Sequence, residues 1–511
     1  MRRRATLLAC LVVMAVAVPS TAALAIDDVN TKKIEKAVTV NGILQHERVL
    51  QRIANNNGGN RASGTPGYDA SAAYVTQKLT AAGYEVSSQE FEFPYFEELS
   101  PATLSQVSPT TVDIATAAFD YSGSGEVEGT LVAATNLVIP PDPEGTSSTA
   151  GCLPTDFVAA SATEPQVALV QRGGCDFAVK AANALAAGYE AVIIFNEGNP
   201  GRTDLVTGTL GAPTTIPVVG ASYADGLALY EATQAGAVTV SLSTDTVSET
   251  RTTTNVLADW PEGDPNRVVV VGAHLDSVAA GPGINDNGSG TATILETAIQ
   301  LAKVGKKPQQ QVRFAFWGAE ESGLLGSEYY VANLSDDELG TIYANLNFDM
   351  LGSTNYVRFV YDGDGSENAD GLGGPPGSAQ IESLFTGYFD EKGLASAPTA
   401  FDGRSDYGPF IEAGIPAGGL FSGAEGVKTA EEAEIFGGTA GEAYDPCYHQ
   451  ACDTISNLST AALNELGDAV AHSVQTLVRT KSGFFEDGSR MAVPPQLTAD
   501  DFDYRGGSLV R

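Results

Sequence analysis

The second half of the chain alternates short apolar runs with alanine-rich or amphipathic stretches. Four consecutive valines, Val268 to Val271, are bounded by an arginine and a glycine, and a short β-branched run of this kind is typical of a strand buried on both faces. Three further apolar runs predict strands over 312–317, 344–350 and 415–421. This succession predicts an open α/β sheet, in which functional side chains gather on the loops after the carboxyl ends of the strands.

Helices are predicted where apolar residues recur at helical spacing or where alanine and leucine dominate. In the first half, one helix is expected from Val40 to Ile53 and a second from an N-cap at Asp69 to Ala82, closed by Gly83. A strand over 84–93 follows the second helix. In the second half, helices are expected over 289–304 and 460–479.

Between about residues 100 and 250 the chain becomes rich in serine, threonine, glycine, proline and valine. Within this region Val167 to Gly198 has the order strand, turn, helix, strand, and it resembles the protease-associated domain, a small β-rich module inserted in several secreted or vacuolar peptidases. A generic βαβ unit is the alternative, and the RGGC turn favours the first interpretation. We expect an inserted domain over 97–252 with a lid, docking or substrate-gating role.

The first 25 residues have the three parts of a secretory signal. Arg2 to Arg4 form a basic start, Leu7 to Val18 an apolar core, and Ala23 to Ala25 a small-x-small cleavage site. No later run is long and apolar enough to cross a bilayer, so we expect a secreted, extracellular protein. Residues 26–39 are expected to be a flexible leader or pro-segment, and residues 484–511 a polar tail.

Charge narrows the possible partners. The chain has 511 residues, enough for two or three domains, with 63 acidic against 28 basic side chains and a formal net charge of -35. This excess of negative charge disfavours nucleic acid and anionic membranes as partners and favours solubility. We expect a monomer with a well-solvated acidic surface.

The cysteine count suits an oxidising compartment. Of five cysteines, Cys10 leaves with the signal segment. The remaining Cys152, Cys175, Cys447 and Cys452 are even in number and allow three pairings. Proximity in sequence favours Cys152–Cys175 and Cys447–Cys452. Because no CxxC spacing occurs, a metal site built from these cysteines is not favoured.

Side chains that suit a metal follow the ends of the predicted strands. They comprise two histidines and several carboxylates, a ligand set that suits one or two zinc ions better than calcium, which takes oxygen alone. Two carboxylates are adjacent in sequence, so one is expected to bind metal while its neighbour acts on a bound water as general base. Each residue alone has a structural alternative, such as a solvated turn or a helix cap, but five coincidences are improbable. The histidines and carboxylates are His274, Asp286, Glu320, Glu321, Asp349 and His449, and Tyr448 stands beside His449 in the same loop.

The motifs around these residues resemble the secreted di-zinc leucine-type aminopeptidases. The matching motifs are HLDS, GINDNGSG, FWGAEESGLLGS, NFDMLGS, DGRSDYGPF and YDPCYHQACD. The resemblance implies a phosphorylase/hydrolase-like α/β fold, a mixed sheet with helices on both faces, for a catalytic domain made of residues 40–96 and 253–483. It also implies two zinc ions per chain. His274 and Asp349 would bind one zinc, Glu321 and His449 the other, and Asp286 would bridge them.

The same resemblance implies the roles of the remaining site residues. Glu320 would be the general base, Tyr448 the hydroxyl that stabilises the developing oxyanion, and Asp276 a carboxylate that orients a metal ligand. A cis peptide is implied after Asp286. Some relatives also bind calcium through acidic residues at the mature N-terminus and in the last helix. That site is not expected here, because Ala37 and Val38 carry no acid and Asn464 stands in place of one carboxylate, with only Asp468 retained.

The implied reaction is hydrolysis of the N-terminal bond of peptides that have a free N-terminus. Met350 and Phe421 follow or end strands of the sheet and are the apolar candidates for the pocket of the first side chain. Such a pocket predicts acceptance of leucine, methionine and phenylalanine. The free amine is expected among Glu320, Asp349 and the backbone near Arg404.

Other classes use the implied fold. Glutaminyl cyclases are single-zinc acyltransferases, and receptor-like relatives are binding proteins that have lost metal ligands. The presence of all five ligands and both catalytic side chains disfavours the receptor class. A carboxypeptidase for acidic C-termini would need several basic side chains to bind two carboxylates, and only Arg404 stands out near the motifs.

Overall fold

The computed structural model describes residues 29–142, 147–304, 307–367 and 373–481. The expected signal segment and the expected tail over 484–511 lie outside the described residues. The strands are β1 (Glu85–Ser108), β2 (Val112–Ile114), β3 (Gly125–Ala133), β4 (Gln166–Gln171), β5 (Ala191–Phe195), β6 (Val218–Ala221), β7 (Thr239–Asp259), β8 (Asp264–His274), β9 (Gln310–Trp317), β10 (Ile342–Phe348), β11 (Phe359–Tyr361), β12 (Ala397–Thr399) and β13 (Ala417–Phe421). The α-helices are α1 (Lys32–Glu35), α2 (Val40–Asn56), α3 (Pro66–Ala82), α4 (Phe177–Ala186), α5 (Tyr223–Ala235), α6 (Gly290–Val304), α7 (Leu325–Ala332), α8 (Asp336–Thr341), α9 (Ser378–Lys392), α10 (Gly408–Glu412), α11 (Ala430–Phe436) and α12 (Thr460–Arg479).

One mixed sheet of 13 strands joins the described elements, in the order β12-β11-β13-β10-β8-β9-β7-β3-β4-β5-β6, with β1 beside β7 and β2 beside β1. Strands β13, β10, β8 and β9 are parallel neighbours. Strands β11 and β7 flank this group in antiparallel orientation. The predicted mixed α/β fold is confirmed, and the four parallel strands β13, β10, β8 and β9 end at the same edge of the sheet.

The valine run forms the centre of β8 and is buried on both faces. Val269 and Val271 pack in the core that contains α6 and α12. Val268 and Val270 pack on the opposite face, with Tyr330 of α7 and Phe410 of α10. Burying one such side chain contributes about 1.5–3 kcal/mol. The helices therefore hold β8, and with it His274, from both sides.

Most helix ends follow the sequence pattern, but the start of α3 differs from the prediction. Its N-cap is Thr65, whose hydroxyl accepts a hydrogen bond from the Tyr68 amide, and Pro66 is its first residue. Asp69 lies inside the first turn. Proline has no amide hydrogen to leave unpaired at a helix start, so the pair Thr65-Pro66 was the stronger signal. Gly83 ends the helix with φ 97°, as predicted.

The described part of the expected leader packs against helix α12. Lys32–Glu35 form α1, and Ile34 and Val38 are buried against Leu463 and Ala471 of α12. The Gln475 side chain also donates to the Asn30 carbonyl at 3.0 Å. The segment is polar on average, which conceals the two apolar residues Ile34 and Val38. Because they lie four positions apart, they face the same side and are enough to pack one helical turn against α12.

The inserted region grows out of the catalytic sheet through two long strands. β1 and β7 pair in antiparallel fashion from Glu85 opposite Asp259 to Ser108 opposite Thr239. β7 then pairs with β3, and β3 to β6 are parallel. The predicted order of strand, helix and strand appears as β4, α4 and β5. Both disulfides favoured by sequence proximity are present, Cys152–Cys175 and Cys447–Cys452. None of the described helices is long and apolar enough to cross a membrane.

Candidate metal centre

The carboxyl ends of three neighbouring strands deliver the central side chains. His274 is the last residue of β8, Glu320 and Glu321 follow β9, and Asp349 follows β10. Because β8, β9 and β10 are parallel neighbours, these side chains converge at one edge of the sheet. Asp286 enters from the turn Ile284–Ser289, between β8 and α6.

The last two predicted residues come from a loop closed by a disulfide. Tyr448 and His449 lie between Cys447 and Cys452, and their rings stack with centroids 3.9 Å apart. His449 has a left-handed backbone, with φ 55°. The short covalent loop thus fixes an unusual backbone conformation and presents both rings to the edge of the sheet.

The histidines and carboxylates form two groups that share Asp286. The Nε2 atom of His274 lies 3.2 Å from Asp286 Oδ1 and 3.3 Å from Asp349 Oδ1. The Nε2 atom of His449 lies 3.2 Å from Asp286 Oδ2 and 3.0 Å from Glu321 Oε2. Each oxygen of one carboxylate therefore faces a different histidine, which is the arrangement expected of a residue that bridges two cations.

The chemistry of these atoms fits metal ions. Both ring nitrogens of His274, Glu321 Oε1 and Asp349 Oδ1 are buried and have no hydrogen-bond partner among the described residues. Candidate ligand atoms lie within 4.8 Å of one another in the groups His274, Glu320, Asp349 and His274, Asp286, Glu321. Buried polar atoms without partners are costly. A site that gathers several of them has the character of a metal site, and histidine with carboxylate ligands suits zinc.

The electric field of the site favours positive charge. Burial lowers the pKa of His449, but the carboxylates of Glu321 and Asp286 outweigh burial and raise that pKa to about 11. For His274, burial is likewise opposed by Glu320 and Asp349, which raise the pKa well above its usual value. Burial raises the pKa of Asp286, but the neighbouring imidazoles of His274 and His449 lower it well below its usual range. The same field would attract divalent cations.

Glu320 lies beside the group of His274, Asp286 and Asp349, but its carboxylate is farther from the His274 imidazole than those of the two aspartates. Its Oε2 is 3.8 Å from His274 Nε2, and burial, reinforced by the neighbouring carboxylates of Asp349 and Asp406, raises its pKa well above the usual value despite His274. Asp276 Oδ1 lies 3.4 Å from His274 Nδ1 and also accepts from the Glu320 amide at 3.4 Å. One carboxylate oxygen thus positions both the imidazole and the backbone of Glu320.

Tyr448 is held as a neutral hydroxyl. Burial raises its pKa well above the usual value, and the carboxylates of Asp286 and Glu321 raise it further. The Arg404 guanidinium donates to the Tyr448 hydroxyl at 3.3 Å and to Glu425 Oε1 at 2.8 Å. Because Arg404 can only donate, the phenolic hydrogen remains directed elsewhere.

Two cavities meet at the centre. The inner cavity has a volume of about 240 Å³ and the outer cavity about 450 Å³. Met350 and Phe421, the apolar candidates for a pocket, line the inner cavity together with Phe359, Tyr361 and Tyr444. The residues common to both cavities are Glu320, Glu321, Arg404, Tyr448 and His449.

Several residues that support the site carried no clear sequence signal. The buried Arg61 donates to the carbonyls of Leu275, Pro282 and Gly283, and so fixes the loop between His274 and Asp286. It stands alone in a glycine- and asparagine-rich loop, where no periodicity marks it. Asp453 accepts from the amides of Asn285 at 2.8 Å and Asp286 at 3.0 Å. The Asp286–Asn287 peptide is cis.

The motif DGRSDYGPF contributes more than Arg404. The Ser405 hydroxyl donates to Asp349 Oδ2 at 2.6 Å and accepts from the Asn347 side chain at 2.8 Å. Asp406 is fully buried, accepts from the Ser327 hydroxyl at 2.6 Å, and has a pKa raised by burial to about 7. Serine and aspartate are common turn residues, so only the assembled structure distinguishes these two from an ordinary loop.

The fold and the two histidine–carboxylate groups define a metal-dependent hydrolase of the α/β class. Residues 255–474 match Peptidase family M28, and residues 127–229 match the PA domain. An aminopeptidase from Pseudomonas aeruginosa is 47% identical over 444 residues, which cover 86% of this chain and 81% of that protein. Leucine aminopeptidase 2 from Trichophyton equinum is 40% identical over 428 residues, covering 83% of this chain and 81% of that protein.

A solved structure shows the same fold. The zinc aminopeptidase from Bacillus subtilis superposes with a TM-score of 0.57 at 27% identity, covering 87% of this chain and 96% of that one. The chain therefore belongs to peptidase family M28, is an enzyme, and carries an inserted PA domain. The family and the inserted domain expected from the sequence motifs are confirmed.

Proposed function

We propose that this M28 peptidase is a secreted di-zinc aminopeptidase that removes the first residue of peptides and prefers a large apolar side chain such as leucine there. The observation that carries the proposal is the pair of histidine–carboxylate groups that share Asp286 between two cavities. The names of the relatives agree with it: the Bacillus structure is described as a zinc aminopeptidase and the Trichophyton relative as a leucine aminopeptidase.

Five side chains would hold the metal. His274 and Asp349 would bind one zinc ion and Glu321 and His449 the other, with Asp286 between them, because the ligand atoms already face one another in this grouping. Zinc, when bound, would supply a Lewis acid that polarises the scissile carbonyl and a cation that lowers the pKa of water.

Glu320 would move the proton. Its carboxylate lines both cavities and lies 3.8 Å from His274 Nε2. A carboxylate in this position can take the proton from the attacking water and return it to the leaving amine, so that the same group serves both steps. One oxygen of Asp276 would orient both the His274 imidazole and the backbone of Glu320.

Tyr448 would stabilise the charge that develops on the scissile carbonyl oxygen. Its hydroxyl remains protonated and lines both cavities. A donor placed where negative charge develops lowers the barrier, because the charge then does not depend on the reorganisation of water. Arg404 would orient this donor, since it contacts the hydroxyl oxygen.

The inner cavity would take the first residue. Met350 and Phe421 line it with apolar side chains, while Glu320 and Asp349 also line it and would attract the free amine. The Ser405 hydroxyl donates to Asp349 Oδ2, so Oδ1 remains for the metal. An acetylated N-terminus would remove the positive charge and leave these carboxylates unpaired.

The test compares leucinamide with acetyl-leucinamide, using purified protein with and without a chelator and with zinc added back. Rapid hydrolysis of leucinamide only, lost on chelation and restored by zinc, is expected. Elemental analysis should approach two zinc ions per chain. Equal hydrolysis of the acetylated compound would overturn the aminopeptidase assignment. A content fixed at one zinc with full activity would favour a cyclase-like enzyme instead.

Secretion has its own test. The two disulfides agree with an oxidising compartment, and the signal-like start of the sequence agrees with export. Expression of the full chain in a secreting host should release protein into the medium with an N-terminus near residue 26. Retention of the full-length chain inside the cell, or on a membrane, would contradict the proposal.

A further inference from the structure

The outer cavity has two walls from different parts of the chain. One wall belongs to the catalytic domain and includes Ser63, Glu320 and Tyr448. The second wall comes from the inserted region between β1 and β7. Between the walls lies the stretch of β1 from Phe93 to Phe96. The residues from the inserted domain are Asp120, Tyr121, Thr209 and Gly211.

We propose that this wall is a subsite for the residues that follow the scissile bond, and that it selects extended peptides with an apolar or aromatic side chain at the second or third position. The inference rests on the proposed function, because it takes the inner cavity as the place of the first residue. It assigns to Tyr121 a specificity-determining contact with substrate.

The connection between the cavities supports the direction of the chain. The two cavities share Glu320, Glu321, Arg404, Tyr448 and His449. A peptide whose first side chain fills the inner cavity and whose scissile bond lies at these residues therefore continues into the outer one. Its volume of about 450 Å³ falls within the range of about 300–1,000 Å³ that is typical of ligand pockets.

The wall is held together by specific contacts. The Asp120 amide donates to the Gly208 carbonyl at 3.0 Å, and the Leu210 amide donates to the Asp120 carbonyl at 3.1 Å. These bonds join the loop around Tyr121 to the loop around Thr209. The Tyr121 carbonyl accepts from the Thr214 amide at 3.0 Å and the Ser248 hydroxyl at 2.9 Å.

Tyr121 adopts a backbone conformation that must be maintained by its surroundings. Its φ is 68°, in the left-handed region that is unfavourable for a bulky side chain. Its ring lies 5.8 Å from the ring of Phe96, at an interplanar angle of 57°. Strained residues persist where neighbours over-determine them, and they concentrate at binding sites.

The lining predicts which side chains are accepted. Phe93, Tyr95, Phe96 and Tyr121 are the aromatic residues that line the cavity. Phe96 is half-buried and the other three are largely buried, so Phe96 and Tyr121, at 9% exposure, offer most of the aromatic surface that favours apolar and aromatic partners. Apart from the proposed zinc ligands Glu321 and His449, the charged side chains that line the cavity are Asp120, Asp276 and Glu320, against Arg404 alone. Acidic side chains at the second and third positions are therefore disfavoured by like charge.

The experiment measures kcat/KM for Leu-Phe-Phe and for leucinamide on the zinc-loaded full chain. Leucinamide has no residue after the scissile bond, so the ratio of the two values isolates the subsite. Tyr121→Asn keeps a residue that tolerates positive φ and removes the ring. The ratio should fall about three- to tenfold, the effect of losing one aromatic contact. Leu-Asp-Asp should be the poorer tripeptide.

Two further variants make the result decisive. Phe157→Leu is the matched control, because Phe157 is buried in the same core cluster as Tyr121 but does not line the cavity; its ratio should equal that of the wild type. Gly211→Asn adds a side chain at φ 69°, where no heavy atom lies within 4 Å of the new Cβ. It should lower the ratio without disturbing the core, and so tests the wall even if Tyr121→Asn folds poorly.

The outcomes separate the two proposals. If the wild type cleaves leucinamide but neither Tyr121→Asn nor Gly211→Asn changes the ratio, the subsite is overturned and the aminopeptidase assignment stands. A fall of the ratio in Phe157→Leu equal to that in Tyr121→Asn would also overturn it, because the effect would then come from the domain core. If the wild type cleaves neither substrate, the proposed function itself fails.

Discussion

Glu320 is the side chain on which the proposed chemistry depends most directly. Glu320→Gln preserves the size of the side chain and its ability to form hydrogen bonds but removes the base. We expect kcat on leucinamide to fall by about 10²–10⁴-fold. The zinc content should stay at the wild-type value, because Glu321, which lies 3.0 Å from His449, is the proposed ligand, whereas Glu320 lies 3.8 Å from His274. Both quantities are measured on the same preparation.

A matched variant controls for the loss of one negative charge. Glu262→Gln changes an exposed carboxylate on a turn remote from the site and should leave kcat and zinc content unchanged. Loss of zinc in Glu320→Gln would mean that Glu320, and not Glu321, is the metal ligand.

At the residue scale, the sequence predicts the side chains of the candidate metal centre better than it predicts the residues that hold them in place. His274 and Asp349 could be found because each comes directly at or after a recognisable apolar strand. Arg61 and Asp453 could not, since their role is to bind backbone groups of the Asp286 loop that are distant in sequence. Such contacts depend on how the loops pack together, and no local pattern encodes them.

At the element scale, the loss of either disulfide should lower stability, but only the loss of Cys447–Cys452 should also lower activity. Cys447–Cys452 spans 5 residues around Tyr448 and His449, whereas Cys152–Cys175 spans 23 residues in the inserted domain. Loop-closure entropy predicts losses of about 2 kcal/mol and about 3 kcal/mol in the free energy of unfolding, respectively. Because the first loop carries the proposed metal ligand His449 and the proposed oxyanion donor Tyr448, removal of its disulfide should reduce kcat/KM on leucinamide at least about tenfold.

Paired cysteine-to-serine variants measure this contrast. The double variant of Cys447 and Cys452 should lose activity out of proportion to its stability. The double variant of Cys152 and Cys175 should lose stability while leucinamide hydrolysis at low temperature remains unchanged. Equal activity losses in the two variants would contradict a positioning role for the shorter bridge.

Residues at the ends of β10, β11 and β13 line the inner cavity, which we propose binds the first side chain of the substrate. An apolar pocket discriminates by about 1–3 kcal/mol per methylene, so leucinamide should be preferred to alaninamide in a graded way. Glutamyl amide should be poor because the entrance is rich in carboxylates. Phe421→Ala should narrow the preference for leucine over alanine, measured as the ratio of kcat/KM values. A glutamyl preference, or an unchanged ratio, would contradict this assignment of the pocket.

Elements with strong periodicity were predictable, and elements defined by their partners were not. Helix α12 begins and ends at the predicted residues, since its apolar stripe is clear. The strand expected over 84–93 continues instead to Ser108. Its second half is largely exposed and polar, and it is extended because β7 pairs with it. Pairing between distant segments leaves no periodicity of its own in the sequence.

At the scale of the whole molecule, β1 and β7 make the inserted domain a continuation of the catalytic sheet. They are 24 and 21 residues long and pair over almost their full length. No flexible linker is needed where two paired strands cross from one core to the other. The inserted domain can therefore keep a fixed wall beside the metal centre.

The molecule's charge leads to a last prediction, on salt. With 63 acidic against 28 basic side chains, repulsion opposes the compact state more than surface ion pairs, worth about 0–1 kcal/mol each, support it. Raising NaCl from 10 to 150 mM shortens the screening length from about 30 Å to about 8 Å. The melting temperature at pH 7, measured with saturating zinc so that metal loss is not involved, should therefore rise. A constant or falling melting temperature would show that local ion pairs, rather than the overall charge, dominate the electrostatic part of stability.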